Sequence, residues 1–227
     1  MARRRSPDSG RAEEYAEDYN GGNFFIQDDA FTEPIGRLGI PGPSPTVVTH
    51  IVFEDVENFK EVARDPTFKA LVDQAKEFGY HKGASLFTAD VVTKLDAIES
   101  GPQERKRAIG IFKIPPGMPK DKFEQKVEAF VDGAMAMPLA REKLLNYTIW
   151  YQNSEVDTEV EGLGLPTPAP LVIAMSELET FNHVVEWVDD PAMAQHIATT
   201  LTAKDFPLHR DGDFFGAEAI VKFNKID

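Results

Sequence analysis

The side chains best suited to moving a proton near neutral pH are five histidines: His50, His81, His183, His196 and His209. No two stand at the spacing of a helical metal pair, and the abundant Asp and Glu do not gather around them. No protein-bound metal is therefore expected. His209-Arg210-Asp211-Gly212-Asp213 reads as a polar turn, and no further ligands follow it at the spacing a calcium loop needs. The chain has no cysteine, which excludes disulfides, thiolate metal sites, iron–sulfur clusters and cysteine nucleophiles together. Its Gly- and Pro-rich stretches contain no phosphate-binding pattern, no nucleotide fingerprint and no serine nucleophile elbow.

His50 stands out because its neighbours are apolar and β-branched: Val47-Val48-Thr49-His50-Ile51-Val52-Phe53 reads as a strand. A period of two puts Val48, His50 and Val52 on one face and Thr49, Ile51 and Phe53 on the other. The bulkier Ile51 and Phe53 are expected beneath helices. That leaves His50 facing an interior, either as a structural histidine with a hydrogen-bond partner or as a general acid/base on an apolar wall. Trp150 and Tyr151 are adjacent on another strand, so one of them faces that interior. Either they are core, or they form an aromatic wall on which Tyr151 offers a hydroxyl to a phenol or carboxylate. The candidate site is therefore His50 and Tyr151 as catalytic groups, with Phe25, Val48, Val52, Trp150 and Met175 as ligand-binding walls. His183 and Glu186, one helical turn apart, read as a surface pair.

The elements that position these residues come from an internal repeat. Leu38-Gly39-Ile40-Pro41-Gly42-Pro43-Ser44-Pro45 and Leu163-Gly164-Leu165-Pro166-Thr167-Pro168-Ala169-Pro170 lie 125 positions apart. The same offset pairs Gln27 with Gln152, Val47 with Val172, Glu61 with Glu186 and Asp65-Pro66 with Asp190-Pro191. Low-complexity proline could not place those flanking residues in register, so the chain is read as a duplication. Each unit is an aromatic strand (Phe24–Gln27, Tyr147–Gln152), a proline-rich loop and a β-branched strand (Val47–Phe53, Leu171–Met175). A helix broken at Asp-Pro and a last strand (Leu86–Leu95, Ala217–Phe223) complete it. The second unit also has a strand at Arg107–Ile114, a turn at Pro115–Pro119 and helical stretches from Lys120 to Val131 and Pro138 to Leu145. Its order is β-α-β-β-α-β, the ferredoxin-like arrangement, with an apolar sheet face that a second sheet must cover. The first unit lacks the opening strand and most of the first helix. The expected organisation is a polar tail (1–21), an incomplete repeat (22–100) and a complete one (101–227). The proline-rich loops are expected to be extended and exposed.

Composition narrows the function classes. The chain has 227 residues, 42% of them hydrophobic, which is ample for a core. A net charge of -14 disfavours nucleic acid as a partner. No stretch is apolar for long enough to cross a bilayer, and the basic start Met1–Ser6 is not followed by an apolar run. A cytoplasmic location, with no membrane partner, is the expectation.

The pattern Val52-Phe53-Glu54-Asp55-Val56-Glu57-Asn58-Phe59, then Asp65-Pro66, resembles the EthD-type branch of the dimeric α+β barrel families. Glu177–Phe181 followed by Asp190-Pro191 repeats it. Met118–Tyr151, with Met137-Pro138-Leu139-Ala140 and Asn146-Tyr147, is similar to that family's first helix and second strand. The resemblance implies two ferredoxin-like copies closing one α+β barrel around a mainly apolar cavity, and leaves a homodimer open. It implies an aromatic or polyketide-like small-molecule ligand and cofactor-independent lyase chemistry: decarboxylation, dehydration or cyclisation. The alternatives are a non-catalytic binding or stress-related protein, or an accessory to an oxidative enzyme. Many members carry a His before an x-Pro-Leu step; the matching position here is Ala136.

Overall fold

The structure, a computed structural model, describes residues 19–37, 46–79, 81–97, 105–200 and 212–224. The β-branched run forms β2 (Val47–Phe53), hairpinned antiparallel to β1 (Tyr19–Asp28). Between them lie a single 3-10 turn (Asp29–Phe31) and α1 (Thr32–Arg37). After β2, Asp55 starts α2 (Val56–Arg64) with a capping box: its carboxylate accepts from Asn58 N at 2.9 Å, while Asn58 accepts from Asp55 N. Pro66 cannot continue that helix, so Asp65 leaves it and caps α3 (Pro66–Glu77), accepting from the Thr67 and Phe68 amides. β3 (Thr88–Asp96) ends the first half.

The second half runs β4 (Lys106–Lys113), α4 (Lys120–Met135), α5 (Pro138–Lys143), β5 (Asn146–Asn153), α6 (Asp157–Gly162) and β6 (Leu171–Leu178). It closes with α7 (Phe181–Asp189), α8 (Pro191–Thr200) and β7 (Gly212–Asn224). The 125-residue offset recurs in its hydrogen bonds. Gln27 Oε1 accepts from Thr46 N at 2.9 Å, and Gln152 Oε1 accepts from Leu171 N at 3.0 Å. Asp190 caps α8 through the Ala192 and Met193 amides, as Asp65 caps α3. The fold is a tandem ferredoxin-like α+β barrel whose first repeat is incomplete.

The strands form one sheet in the order β2-β1-β7-β4-β6-β5-β3, with every neighbouring pair antiparallel. This corrects the expectation of two separate sheets packed face to face. The halves join edge to edge because their last strands reach past their own sheets. In β7, residues 212–218 pair with β4 and residues 216–224 pair with β1. Likewise β3 pairs with β5 of the other half. Among the described strands, β2 and β3 are the two edges.

Two cores lie on the helix side. The larger joins α4, α5, α7 and α8 to the sheet, through Phe123, Val127, Ile149, Leu178 and Ile197 among others. The smaller joins α2 (Phe59, Ala63) to α6 and its two caps (Val156, Val160, Leu163), tied by an Arg64–Glu159 ion pair at 2.7 Å. The sequence 157–162 reads as polar loop because Val160 is its one apolar residue; the other half supplies the burial that makes it helical. The third core fills the inside of the curled sheet. Of the proline-rich loops, 38–45 lies outside the described residues, while Pro166–Pro170 runs outside any helix or ladder with both end prolines exposed. Among the described residues, no helix is long and apolar enough to cross a membrane.

Candidate functional site

The curl of the sheet creates the site. His50 on β2 and Trp150 on β5 are five steps apart in strand order, which in a flat sheet would separate them by about 24 Å. Their ring centroids are 4.5 Å apart, tilted by 43°. Phe25 from β1 lies beside them, its ring centroid 6.5 Å from that of His50 and stacked at 19°. These rings wall a cavity of about 210 Å³. β3 adds Val91 and β6 adds Met175, the repeat partner of His50. Polar groups line the same space: Asn23, Asn146, Thr148, Arg107 and Glu177.

Arg107 and Glu177 set its electrostatics. The Arg107 guanidinium donates to Glu177 at 2.9 Å, and Arg105 reaches the other carboxylate oxygen at 3.2 Å. Arg107 also lies over the Phe25 ring, 5.2 Å from its centroid. Its Nε–H is out of contact with solvent and has no hydrogen-bond partner. Burial, and secondarily the positive charge of Arg107, hold the His50 pKa below the ordinary histidine value. His50 is therefore a neutral imidazole near pH 7, able to accept a proton. Trp150 Nε1 donates to Thr148 Oγ1 at 3.0 Å, so the indole offers only its ring to a ligand.

Of the residues expected at this site, His50, Phe25, Trp150 and Met175 meet at the cavity, and Val48 packs into the same interior core. Val52 does not line it and is 41% exposed, because β2 is a sheet edge. Tyr151 lies on the other face of β5, packed against the helix-side core. Alternation gave Trp150 the inside, and Tyr151 is corrected from a cavity group to a helix-side one. Ile51, expected beneath helices, is 39% exposed, whereas Phe53 does pack there, edge-on to Phe59 at 5.3 Å. The expected His183–Glu186 pair does not form: Glu186 pairs with Lys143 at 3.0 Å. His196 packs helix on helix, stacked on Phe130 at 4.9 Å. His209 lies outside the described residues.

Sequence reasoning missed Arg107, Glu177, Asn23, Asn146 and Thr148. A signal was available. Arg107 opens an apolar strand, and a charged residue on the inward alternation of such a strand needs a partner; Glu177 closes the strand beside it. Among the described residues, no group of three or more His, Asp or Glu stands together in a way that could hold a metal.

Neither family models nor curated protein sequences match this chain. Solved structures do. An anthrone oxidase-like protein superposes with a TM-score of 0.50 at 13% identity, over 92% of this chain and 95% of that one. A protein described as a candidate monooxygenase from Fusobacterium nucleatum gives a TM-score of 0.47 at 11% identity, over 98% and 94%. A dimeric ferredoxin-like protein of unknown function from Thermobifida fusca matches 55% of this chain along 99% of its own, at 17% identity and a TM-score of 0.37. At these identities, the first likeness supports the ferredoxin-like α+β barrel fold and nothing finer.

Proposed function

We propose that the barrel cavity binds a small, flat aromatic molecule bearing a phenolic or carboxylate oxygen, and that His50 moves a proton on it without a cofactor. The observation that carries this reading is a neutral imidazole held against an indole ring at the cavity, which Arg107 also lines. Trp150 and Phe25 would sandwich the ring system. The Arg107 guanidinium would hold the oxygen, and His50 would take a proton from an acidic O–H or C–H and return it after the bond change. Decarboxylation, dehydration and cyclisation, the lyase reactions that the EthD-type resemblance implies, all need only such a shuttle. A cavity of about 210 Å³ is below the roughly 300 Å³ at which drug-sized sites begin, which favours one or two rings over a long polyketide. Tyr151 has no part in this reading.

The second reading is a non-catalytic carrier or an accessory to an oxidative enzyme. Ala136 favours it, since it stands where the resemblance calls for a histidine. A thermal-shift panel of aromatic acids and anthrone-like phenols, followed by product analysis, separates the two. The catalytic reading expects a binder that is turned over, with His50→Phe lowering turnover by about a hundred- to ten-thousand-fold. Binding without turnover supports the carrier. If no aromatic acid or phenol binds, both fail.

A further inference from the structure

The inward face of the sheet carries two carboxamides that the proposed proton transfer leaves unused, and strand register places both. Asn23 on β1 stands directly opposite His50 on β2. Asn146 on β5 stands directly opposite Glu177 on β6, and Glu177 directly opposite Arg107 on β4. Residues opposite one another in antiparallel strands share a face, with Cβ atoms about 5 Å apart. Asn23 therefore stands beside the imidazole, and Asn146 beside the ion pair.

Both carboxamides line the cavity. Neither makes a side-chain hydrogen bond among the described residues, and neither is sealed from solvent as the Arg107 Nε–H is. Each is free to donate twice and to accept, so each can bind a molecule that enters. The two are not neighbours. Asn146 lies four residues along β5 from Trp150, about 13 Å, and it is the Trp150 indole that lies against His50. The cavity thus has two polar stations, His50 with Asn23 and Arg107 with Asn146, which share the Phe25 and Trp150 rings as a wall. The stations also differ in charge. One Glu177 carboxylate serves both Arg105, at 3.2 Å, and Arg107, at 2.9 Å, so the second station keeps an excess positive charge. The imidazole station is neutral near pH 7.

We propose that the ligand class of this cavity is a hydroxy-aromatic acid, with Asn23 and Asn146 as the residues that select it. The carboxylate goes to Arg107 and Asn146, and a hydroxyl that is not adjacent to it goes between His50 and Asn23. The inference rests on the aromatic-ligand reading and narrows it, from a phenol or an acid to both groups on one molecule. At the neutral station, His50 accepts from the hydroxyl while the Asn23 amide donates to the same oxygen, so the hydroxyl is satisfied in both roles. At the positive station, the Asn146 amide donates to the carboxylate that the guanidinium holds, a charge-assisted pairing. A site built to bond a hydroxyl rejects the analogue that lacks it, because the site's own polar groups are then left unpaired. A hydroxyl adjacent to the carboxylate fits poorly, since it closes a hydrogen bond within the molecule and presents both oxygens to one station.

Titration calorimetry on the full chain near neutral pH, with benzoate, phenol and the three hydroxybenzoates as probes, tests this. The 3- or 4-hydroxybenzoate should bind roughly tenfold or more tighter than benzoate, phenol and 2-hydroxybenzoate, the worth of one added hydrogen bond. Asn23→Ala should erase most of the gain that the hydroxyl brings. Asn146→Ala should weaken the acids by roughly tenfold more than it weakens phenol. Equal affinity for benzoate and the hydroxybenzoates overturns the inference and leaves the aromatic-ligand reading in place; no binding of any probe overturns both. Tightest binding of 2-hydroxybenzoate would put both oxygens at one station and overturns the two-station arrangement. An equal loss for benzoate and hydroxybenzoate in Asn23→Ala would make Asn23 a structural residue and removes it from the site. The comparison among probes is made on the unaltered chain, so the test stands even where a variant fails to fold.

Discussion

Phe215 lies in β7 and Phe87 stands just before β3, at equivalent places in the two halves, and both pack into the core inside the curled sheet. Phe215 is 1% exposed; Phe87 is only partly buried at the margin of the same core. The Asp-Pro caps and the glutamine side-chain hydrogen bonds are alike in the two halves. What differs is the neighbour. Burial in a ferredoxin-like half depends on its first strand and first helix, because these are central to the sheet and to the helix layer. A repeat can keep its element pattern without them, but its core is left smaller.

The largest effect expected from this contrast is on stability. Phe215→Ala should cost about 3–5 kcal/mol, the usual range for deleting a buried ring. Phe87→Ala should cost about 1–2 kcal/mol, because its site is already partly solvated. Urea denaturation of both variants measures the difference. Equal costs would break the comparison and mean that Phe87 is fully covered in solution.

A smaller contrast is expected between the paired glutamines. Gln152 is buried, and Gln152→Ala strands the Leu171 amide without its acceptor, at about 1–3 kcal/mol. Gln27→Ala should cost under about 1 kcal/mol, since Thr46 is half-exposed and water can replace the lost acceptor. The same denaturation curves decide this. A cost for Gln27→Ala matching that of Gln152→Ala would show that the first hairpin is shielded.

These pairs also show what could be read from the sequence. The offset located both glutamines, both Asp-Pro caps and the bounds of β2, because those features are set by residues close in the chain. The inward face of His50 followed from alternation together with the bulk of Ile51 and Phe53 on the other face. Pairing between the halves did not follow, since β1–β7 and β3–β5 contacts have no local signal. The exposure of Leu71 and Phe78 was hidden for the opposite reason. Their helical spacing predicts a buried stripe, and periodicity reports which face is apolar without reporting whether anything covers it. Arg107 and Glu177 went unnoticed as site residues because each looks like an ordinary polar strand end until the sheet curls them toward His50.

His50 extends the comparison to pH. Its counterpart Met175 cannot titrate, so the two halves respond differently to acid. Burial and Arg107 place the folded-state pKa below the unfolded value of about 6.5. Between those two values the unfolded chain binds more protons than the folded one. Stability should therefore fall as pH drops from about 6.5 toward the folded-state pKa. His50→Phe should flatten that part of the curve, read as melting temperature against pH. An unchanged slope would mean that the imidazole is solvated and the barrel mouth wider than the structure shows.

The smallest expected effect belongs to Tyr151, the neighbour of Trp150 on the opposite face. Its ring is partly exposed, but its hydroxyl oxygen is out of contact with solvent and has no hydrogen-bond partner. Burial first, then the Glu128 carboxylate, push its pKa up to about 12; Lys94 opposes them. The raised pKa keeps the phenol protonated near neutral pH. Removing an unsatisfied buried hydroxyl relieves a desolvation cost, so Tyr151→Phe should be neutral or stabilising by up to about 1 kcal/mol. It should leave ligand binding and any turnover unchanged, whereas His50→Phe changes both the pH response and the site. If Tyr151→Phe abolished binding while the fold stayed intact, the inside and outside of β5 would be exchanged, and the aromatic wall would have to be rebuilt around tyrosine instead of tryptophan.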